Sequence, residues 1–449
     1  MAQKGNAAEL GTENIRKLLV QYAVPAIIAM TASSLYNMVD SIFIGHGVGP
    51  LAISGLAITF PLMNLAAAFG SLVGVGASTL ISVKLGQKDY LTAQQILGNV
   101  VSLNVIIGVI FTVITLLFLD PILYFFGASE ATIPYARDYM ITILLGNVVT
   151  HMYLGLTSVL RSAGHPQKAM IATILTVVIN TILDPFDMGI RGAAVATILA
   201  QIISLCWLIR IFCNKEELLH FQKGIYRLKG VLVENIIGIG MAPFLMNMAS
   251  CFIVILINKG LKLYDGDLAI GAFGIVNRIV YLFVMIVMGL NQGMQPIAGY
   301  NFGAQQYHRV NRVMQLTVIA ATIVTTSGFL VGELIPELAV SAFTTDRHLI
   351  DLSADGLRVV VMFFPIIGFQ MVTSNFFQSI GMAKKAIILS LSRQVLILIP
   401  CLLILPLFWG AKGIWFSMPI SDALASLIAG IMLYKQFQTF KRHHAAQQQ

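Results

Sequence analysis

Charged side chains are scarce in this chain of 449 residues. Asp, Glu, Lys and Arg together make up 11% of it, while hydrophobic residues make up 57%. In soluble globular proteins roughly a quarter of the residues are charged. The composition therefore excludes an ordinary soluble protein and predicts a chain that lies in a membrane.

Residue types that build metal centres and catalytic sites are also few. The four cysteines lie inside apolar segments and have no metal-ligand spacing, and the eight histidines are scattered without pairing. No phosphate-binding P-loop is present, so we do not expect this chain to hydrolyse nucleotide. We expect neither an enzyme nor a bound cofactor.

The net charge of +8 would suit nucleic acid or an anionic surface, but the distribution of charge indicates membrane topology instead. Acids collect in the loops of one parity, and bases in the loops of the other parity, among them Lys84, Lys88, Arg161, Lys168, Lys215, Lys223, Arg227, Lys229, Arg309, Arg312, Lys384 and Lys385. The positive-inside rule then places both termini and the loop at 214–230 in the cytoplasm.

Long apolar stretches recur along the whole chain, each able to cross roughly 30 Å of hydrocarbon as a helix. Their apolarity is continuous rather than alternating, which favours a helical bundle over a β-barrel. We predict twelve transmembrane helices, at about 16–44, 51–82, 92–119, 131–158, 168–185, 190–213, 230–260, 268–299, 308–332, 350–378, 385–407 and 413–437.

The sequence is also repeated. The segment 86–90, Gly-Gln-Lys-Asp-Tyr, returns at 303–307 as Gly-Ala-Gln-Gln-Tyr, and Leu-Ala-Ile at 51–53 returns at 268–270. Arg-Ser-Ala-Gly at 161–164 corresponds to Gln-Ser-Ile-Gly at 378–381, so all three pairs share a shift of 217 positions. An internal repeat on this scale in an apolar chain is typical of transporters.

We therefore predict an all-α polytopic membrane protein of two six-helix lobes, related by a pseudo-two-fold axis along the membrane normal, because an even number of spans returns each half to its starting side. The predicted divisions are an N-terminal lobe at 1–213, a cytoplasmic loop at 214–229, a C-terminal lobe at 230–437 and a cytoplasmic tail at 438–449. A cleft between the lobes would open to one face at a time.

Ionisable residues inside spans are costly and usually functional. Asp40 and Asn37 share one face near the outer end of span 1, and Asn180 and Asp184 share one face at the outer end of span 5. With Thr197 in span 6, all lie at similar depth in the first lobe. These oxygen ligands suit Na⁺, and a buried carboxylate suits H⁺.

Simpler interpretations stand beside these. Asp184 could sit at a helix end in water, and Asp40 could be an outer-interface residue. Pro25 interrupts span 1 and acts either as a hinge or as a passive kink. In the second lobe, Arg278 in span 8 and Asp422 in span 12 have a structural pairing role or a transport role.

The residues that would line a substrate cleft are indicated by adaptable and polar side chains within the spans. Methionines are adaptable side chains that suit varied ligands, although methionine at helical spacing is more often ordinary core. We predict a substrate cleft lined by Tyr36, Tyr139, Asn147, Met285, Met288 and Gln292.

The first span and its flank resemble a known family. Tyr22-Ala-Val-Pro-Ala26, Leu35-Tyr-Asn-Met-Val-Asp40, the segment Ser82–Asp89, Arg161–Gly164 and Pro296–Gly303 are similar to blocks of the multidrug and toxin extrusion (MATE) family, nearest its MepA-like members and the DinF-like branch. The resemblance covers essentially the whole chain. It implies a twelve-helix, two-lobe exporter of hydrophobic, often cationic compounds, driven by Na⁺ or H⁺.

The resemblance also assigns roles. It implies that Asp40 couples the cation, that Asn180, Asp184 and Thr197 complete the first-lobe site, and that span 1 bends at Pro25. The NorM-like branch carries a glutamate in span 7 where this chain has Cys251, and span 10 offers Gln370 and Asn375 but no acid. The first lobe is therefore the expected place of coupling.

The sequence predicts a secondary antiporter of the bacterial inner membrane, monomeric, with drugs or toxins as its small-molecule partners and no nucleic acid. A flippase of lipid-linked sugars from the same broader superfamily is the alternative, and it would need a large cationic cavity. A membrane-embedded transferase is a further alternative, which would need clustered acids or histidines at a membrane face.

Overall fold

The computed structural model describes residues 4–47, 50–183 and 189–447, with side chains described outside 4–7, 35–57, 189–190, 267 and 441–447. Regular structure in this part of the chain is helical throughout. The first nine helices are α1 Lys4–Thr12, α2 Ile15–Gly47, α3 Pro50–Gly86, α4 Tyr90–Leu117, α5 Leu119–Phe125, α6 Ile133–Leu145, α7 Asn147–Ser162, α8 Pro166–Leu183 and α9 Gly189–Cys213.

The remaining helices follow a linker at 214–229. They are α10 Gly230–Asp265, α11 Asp267–Gly303, α12 Tyr307–Leu334, α13 Pro336–Ser341, α14 Arg347–Val361, α15 Phe364–Ser379, α16 Ala383–Leu391, a π-helix at Ser392–Leu398, α17 Ile399–Trp409 and α18 Ala411–Gln447.

Ten helical segments of the described chain are long and apolar enough to cross a membrane, and two bent helix pairs bring the number to twelve. The prediction of an all-α polytopic membrane protein is thus confirmed. The bent pairs are α6 with α7 and α14 with α15, each bent by 54°, and they correspond to the spans predicted at 131–158 and 350–378. The bends have local causes, because Gly146 separates α6 from α7 and Pro365 stands in the first turn of α15.

The sequence repeat is visible helix by helix. Helices α3 and α11 both have 37 residues, helices α4 and α12 both have 28, and each pair is offset by the same 217 positions as the sequence blocks. The turns repeat as well: Gly164 and Gly381 have φ of 99° and 75°. The repeat therefore fixes turn geometry in addition to helix length.

The contacts divide the chain into two compact units. The first contains residues 1–13 and 28–244, and the second contains residues 14–27 and 245–449. The division inside α2 falls two residues after Pro25, and the division inside α10 falls one residue after Pro243. Proline removes a helical hydrogen bond, so each helix changes its unit where its hydrogen-bonding ladder is interrupted. The lobe boundaries derived from sequence remain a prediction based on symmetry.

One predicted span departs from an α-helix. The segment at 385–407 contains the π-helix Ser392–Leu398 between α16 and α17. Short π-helical turns inside α-helices occur frequently at functional sites. The apolar run predicted the span but gave no sign of the change in winding.

The linker at 214–229 is fixed to α4 of the first unit. The Gln94 carboxamide donates to the His220 carbonyl and accepts from the His220 amide, with 3.3 Å between nitrogen and oxygen in the second bond. Asn99 bonds the Arg227 carbonyl at 3.2 Å and the Lys229 amide at 3.0 Å. The linker therefore lies on the helix surface as part of the first unit.

A buried acid secures the start of the same linker. The Glu217 carboxylate is 6% exposed and lies 2.5 Å from Lys168 Nζ and 2.7 Å from His165 Nε2. Burial alone would raise the pKa of the Glu217 carboxyl, but the hydrogen bonds and charges of Lys168 and His165 outweigh it, and the pKa lies below its ordinary value. Burial lowers the pKa of the His165 imidazole despite the nearby carboxylate, so we assign the stabilising charge to Lys168.

Candidate cation-coupling site

The acids at the centre of the predicted site lie where side chains are not described. Asp40 and Asn37 belong to helix α2, but both side chains are outside the described residues. Asp184 also lies outside them and follows the last residue of α8, Leu183. Their roles therefore stay predictions.

The other two members of the predicted site are brought together. Asn180 on α8 is 1% exposed, and its Nδ2 donates to Thr197 Oγ1 on α9 at 2.9 Å. Thr197 Oγ1 in turn donates to the Ala193 carbonyl at 3.0 Å. The donor and acceptor directions are thus fixed, and the amide of Asn180 is held against the hydroxyl of Thr197 within the first unit.

The same pair of helices makes a second polar contact one turn away. Thr176 Oγ1 and Ser204 Oγ are hydrogen-bonded at 2.7 Å, and Ser204 is fully buried. The α8–α9 interface therefore carries neutral hydroxyl and amide groups in two successive layers. Hydroxyl and amide oxygen atoms of this kind are suitable ligands for a hard cation.

The residues predicted to line the substrate cleft fall in different environments. Tyr139 packs in a hydrophobic cluster with Leu123 and Met140, and Asn147 is 1% exposed. Met285 is buried, and Met288 and Gln292 are partly exposed. The Tyr36 side chain lies outside the described residues, and the lining of a cleft stays a prediction.

In the second unit, the partner of Asp422 is a residue that the sequence reasoning overlooked. Arg393 Nε donates to Asp422 Oδ1 at 2.6 Å, whereas Arg278 on α11 is exposed. Asp422 is 3% exposed, and the Arg393 side chain is 30% exposed. Arg393 lies in the π-helix Ser392–Leu398. A basic residue within this otherwise apolar span was the sign in the sequence that Arg393 could pair with Asp422.

Among the described residues, no group of three or more His, Cys, Asp or Glu side chains is arranged to hold a metal ion. Several acids of the first unit are instead paired with bases, as in Asp120 with Arg137 at 2.5 Å and Asp138 with Arg191 at 2.7 Å.

The features described so far define a class of protein. A chain of apolar helices in two matching repeats, with sparse buried polar groups and a buried ion pair inside the spans, is a polytopic membrane transporter. The MatE family model matches residues 25–186 and 239–403. The chain belongs to the MatE family.

Relatives extend this assignment over nearly the whole chain. The multidrug export protein MepA of Staphylococcus haemolyticus (strain JCSC1435) is 28% identical over 426 residues, which cover 94% of each chain. MepA of Staphylococcus aureus (strain MSSA476) is 27% identical over 423 residues, which cover 93% of each.

Solved structures agree with the fold. The MATE multidrug transporter DinF-BH in complex with rhodamine 6G is 35% identical, with a TM-score of 0.89 and coverage of 96% of this chain and 98% of that one. A MATE structure in the bent conformation is 21% identical with a TM-score of 0.92, covering 98% and 99%, which supports the fold alone. The resemblance inferred from the sequence is confirmed.

Proposed function

We propose that this protein is a secondary antiporter that exports hydrophobic or cationic organic compounds in exchange for H⁺ or Na⁺. The observation that carries the proposal is the 35% identity, over 96% of the chain, to a MATE multidrug transporter whose solved structure holds rhodamine 6G. The two MepA proteins, both named for multidrug export, support the same class of substrate.

The coupling step is assigned to the first lobe. Asp40 takes up H⁺, or binds Na⁺ together with Asp184 and the oxygen atoms of Asn180 and Thr197. The hydrogen bond between Asn180 and Thr197, 2.9 Å long, supports this by holding the neutral members of the set in fixed orientation. Binding of the cation neutralises the acids, and helix α2 then repacks about Pro25 and reshapes the drug site.

Energetically, the cation drives export only if the two conformations bind it with different affinity. A change of the conformational ratio from 1:99 to 99:1 needs about a 10⁴-fold difference in affinity. A carboxylate that is exposed to water in one state and buried in the other gives a difference of this kind, because burial disfavours its charged form.

Ethidium efflux from proteoliposomes tests the proposal, with an imposed pH gradient in one experiment and a Na⁺ gradient in another. We expect one gradient to drive efflux and Asp40→Asn to abolish it. Asp351→Asn is the matched control, since Asp351 is an exposed acid of α14 and its loss leaves coupling unchanged. Thr197→Val keeps the shape of the side chain and removes the acceptor for Asn180, so it weakens coupling.

Two outcomes contradict the proposal. Absence of efflux under both gradients would move the assignment to lipid-linked sugar transport, measured with labelled lipid in the same liposomes. Efflux that survives Asp40→Asn at equal protein level would remove the coupling role of Asp40.

The proposed location is the bacterial inner membrane, with both termini in the cytoplasm and a monomeric protein. The bases of the 214–229 linker, Lys215, Lys223, Arg227 and Lys229, are all exposed, as expected for a cytoplasmic loop under the positive-inside rule. A cysteine introduced in this linker and labelled with a membrane-impermeant reagent would measure the orientation directly.

A further inference from the structure

The internal repeat assigns a counterpart to the cation site. The proposed site in the first lobe draws on spans 1, 5 and 6, which are α2, α8 and α9. At the constant shift between the repeats, the corresponding second-lobe helices are α10, the segment from α16 to α17, and α18. Polar side chains lie together on these three helices, and one of them is a base.

An arginine occupies the position that corresponds to a hydroxyl in the first lobe. Thr176 of α8 and Arg393 of the π-helix are 217 positions apart, as are Ser204 and Ser421. Thr176 bonds to Ser204 at 2.7 Å, and Ser421 Oγ donates to the Arg393 carbonyl at 2.6 Å. The equivalent residues are therefore hydrogen-bonded in both repeats, through two side chains in the first and through a side chain and a backbone carbonyl in the second, while the residue on the first helix changes from neutral to charged.

The ion pair leaves much of the guanidinium available. Asp422 Oδ1 accepts from Arg393 Nε, and no described residue accepts from either Nη group. The guanidinium has five N–H donors, so four remain at a side chain that is 30% exposed. Asp422, at 3% exposure, accepts from Nε and leaves both Nη groups without an acceptor among the described residues.

A second polar group of the π-helix lies beside the arginine in the chain. Gln394 Nε2 donates to Ser250 Oγ on α10 at 3.0 Å, while Gln394 Oε1 is buried without a hydrogen-bond partner among the described residues. A buried amide oxygen without a donor costs free energy.

The pair is poorly explained by stability alone. Replacing a buried ion pair by apolar residues is often neutral or stabilising, and a charge within the bilayer marks function by default. Arg393 follows Lys385 by eight residues, about 12 Å along the span at the helical rise, which is too deep for an interfacial anchor alone. A function that uses the positive charge explains why both residues are present.

We propose that the second unit contains an oxyanion-binding site, in which the open Nη edge of Arg393 binds the carboxylate of amphipathic substrates and Asp422 is the internal counter-ion. Arginine binds carboxylates through two parallel hydrogen bonds. The site rests on the proposed export function and supplies the group that binds the carboxylate of zwitterionic substrates, such as drugs and dyes that carry both an amine and a carboxylate.

A pair of dyes that differ in one group tests the site by equilibrium binding. Rhodamine 6G is an ethyl ester, and its free acid carries a carboxylate on the same ring system. Binding to the purified full-length protein in nanodiscs is measured by fluorescence polarisation, without any gradient. We expect the wild type to bind the free acid about tenfold more tightly than Arg393→Gln does, with ester binding changed less than twofold.

Two further variants separate a binding role from a structural one. Asp422→Asn removes the competing carboxylate, so the preference for the free acid increases, whereas a merely structural ion pair would give losses of the same sign in both single variants. Arg393→Gln combined with Asp422→Asn has no unpaired buried charge. We expect this double variant to keep the fold, to bind the ester with wild-type affinity and to show no preference for the free acid over the ester.

If the wild type binds the free acid and the ester with equal affinity, the oxyanion site is overturned. It is also overturned if Arg393→Gln and the double variant each lose affinity for the two dyes by the same factor. Failure of gradient-driven ethidium efflux with the free-acid preference intact would overturn the antiport proposal and leave the oxyanion site in place. The two proposals are thus separable by experiment.

Discussion

Lys88 and Gln305 lie 217 positions apart and adopt the same left-handed backbone conformation, with φ of 60° and 59°. They are the two non-glycine residues with positive φ in the described chain. Each stands in the short turn between two long helices, before α4 in one repeat and before α12 in the other. Both repeats therefore have a turn in which a residue with a side chain adopts the left-handed conformation that glycine favours.

Glycine at these turns should stabilise the protein. An L-residue in this conformation costs about 1–2 kcal/mol, partly offset by the larger entropy that glycine has in the unfolded chain. We expect Lys88→Gly and Gln305→Gly each to raise the free energy of unfolding by about 0.5–1 kcal/mol, measured by thermal unfolding in detergent. Lys88→Ala retains the strain and should show no gain, and an equal gain from alanine would contradict the explanation.

Helices α3 and α10 approach so closely that only glycine fits at the contact. A Cβ atom on Gly240 would overlap the Leu72 carbonyl, and one on Gly76 would overlap the Ile236 carbonyl. Gly240→Ala should therefore destabilise the protein by about 2–3 kcal/mol, as overpacking does, measured by thermal unfolding. Gly238→Ala is the control on the same helix, because open space surrounds its Cβ position, and it should be neutral or stabilising by up to about 1 kcal/mol.

Two fully buried asparagines of α4 should respond in opposite directions to leucine. Asn99 bonds the linker, so Asn99→Leu loses those bonds and lowers stability by about 2 kcal/mol. Neither side-chain polar atom of Asn104 has a hydrogen-bond partner in the described chain, so Asn104→Leu should raise stability by about 1 kcal/mol. Chemical unfolding of both variants measures the difference, and losses of equal size would contradict the assignment.

The Glu217 cluster predicts a pH dependence of linker attachment. The lowered pKa of Glu217 means that its contribution is present above its ordinary value near 4.5 and is lost as the pH falls through the lower folded value. The pKa of His165 is lowered too, so the unfolded state takes up that proton first, and stability begins to fall below about pH 6.5. Glu217 and His165 therefore both lower the stability of the folded protein as the pH falls.

Glu217→Gln should accordingly lower stability by about 2 kcal/mol at pH 7, with faster hydrogen exchange across residues 214–229. The difference in the free energy of unfolding between Glu217→Gln and the wild type should become smaller as the pH falls toward 4. Glu216→Gln is the neighbouring control, since Glu216 is exposed. A difference that stays constant from pH 7 to pH 4 would mean that the carboxylate charge is not what holds the linker.

Much of the fold was predictable from the sequence, because the length of each apolar segment and the internal repeat can both be read directly from it. Apolar length predicts the spans, and the shift of 217 positions predicts that α11 and α12 match α3 and α4. The bend at Gly146 and the π-helix at Ser392–Leu398 were not predicted, because hydropathy does not indicate whether a helix bends or whether its hydrogen-bonding pattern changes. Pro365 was the available sign of the second bend, as the residue before proline disfavours the α-helical region.

The candidate site was predictable only in part. Equal depth along the spans placed Asn180 and Thr197 together, and the two side chains are hydrogen-bonded, whereas their role in cation coupling stays a prediction. Pairing between distant helices was not predictable: Asp422 is bonded to Arg393, and depth alone did not distinguish Arg393 from Arg278. The roles of Asp40 and Asp184 stay predictions, to be decided by transport measurements.

The attachment of the linker to α4 has a practical consequence for labelling the protein. Asn99, Gln94 and Ser102 hold its backbone, so a tag that displaces their partners His220, Tyr226 and Arg227 would detach it. Gly224 stands in a turn with φ of 92° and has no neighbour within 4 Å of its Cβ position. A fluorophore or epitope attached to that turn, which lies between the His220 and Tyr226 contacts, would label the linker and leave the hydrogen bonds at those two residues intact.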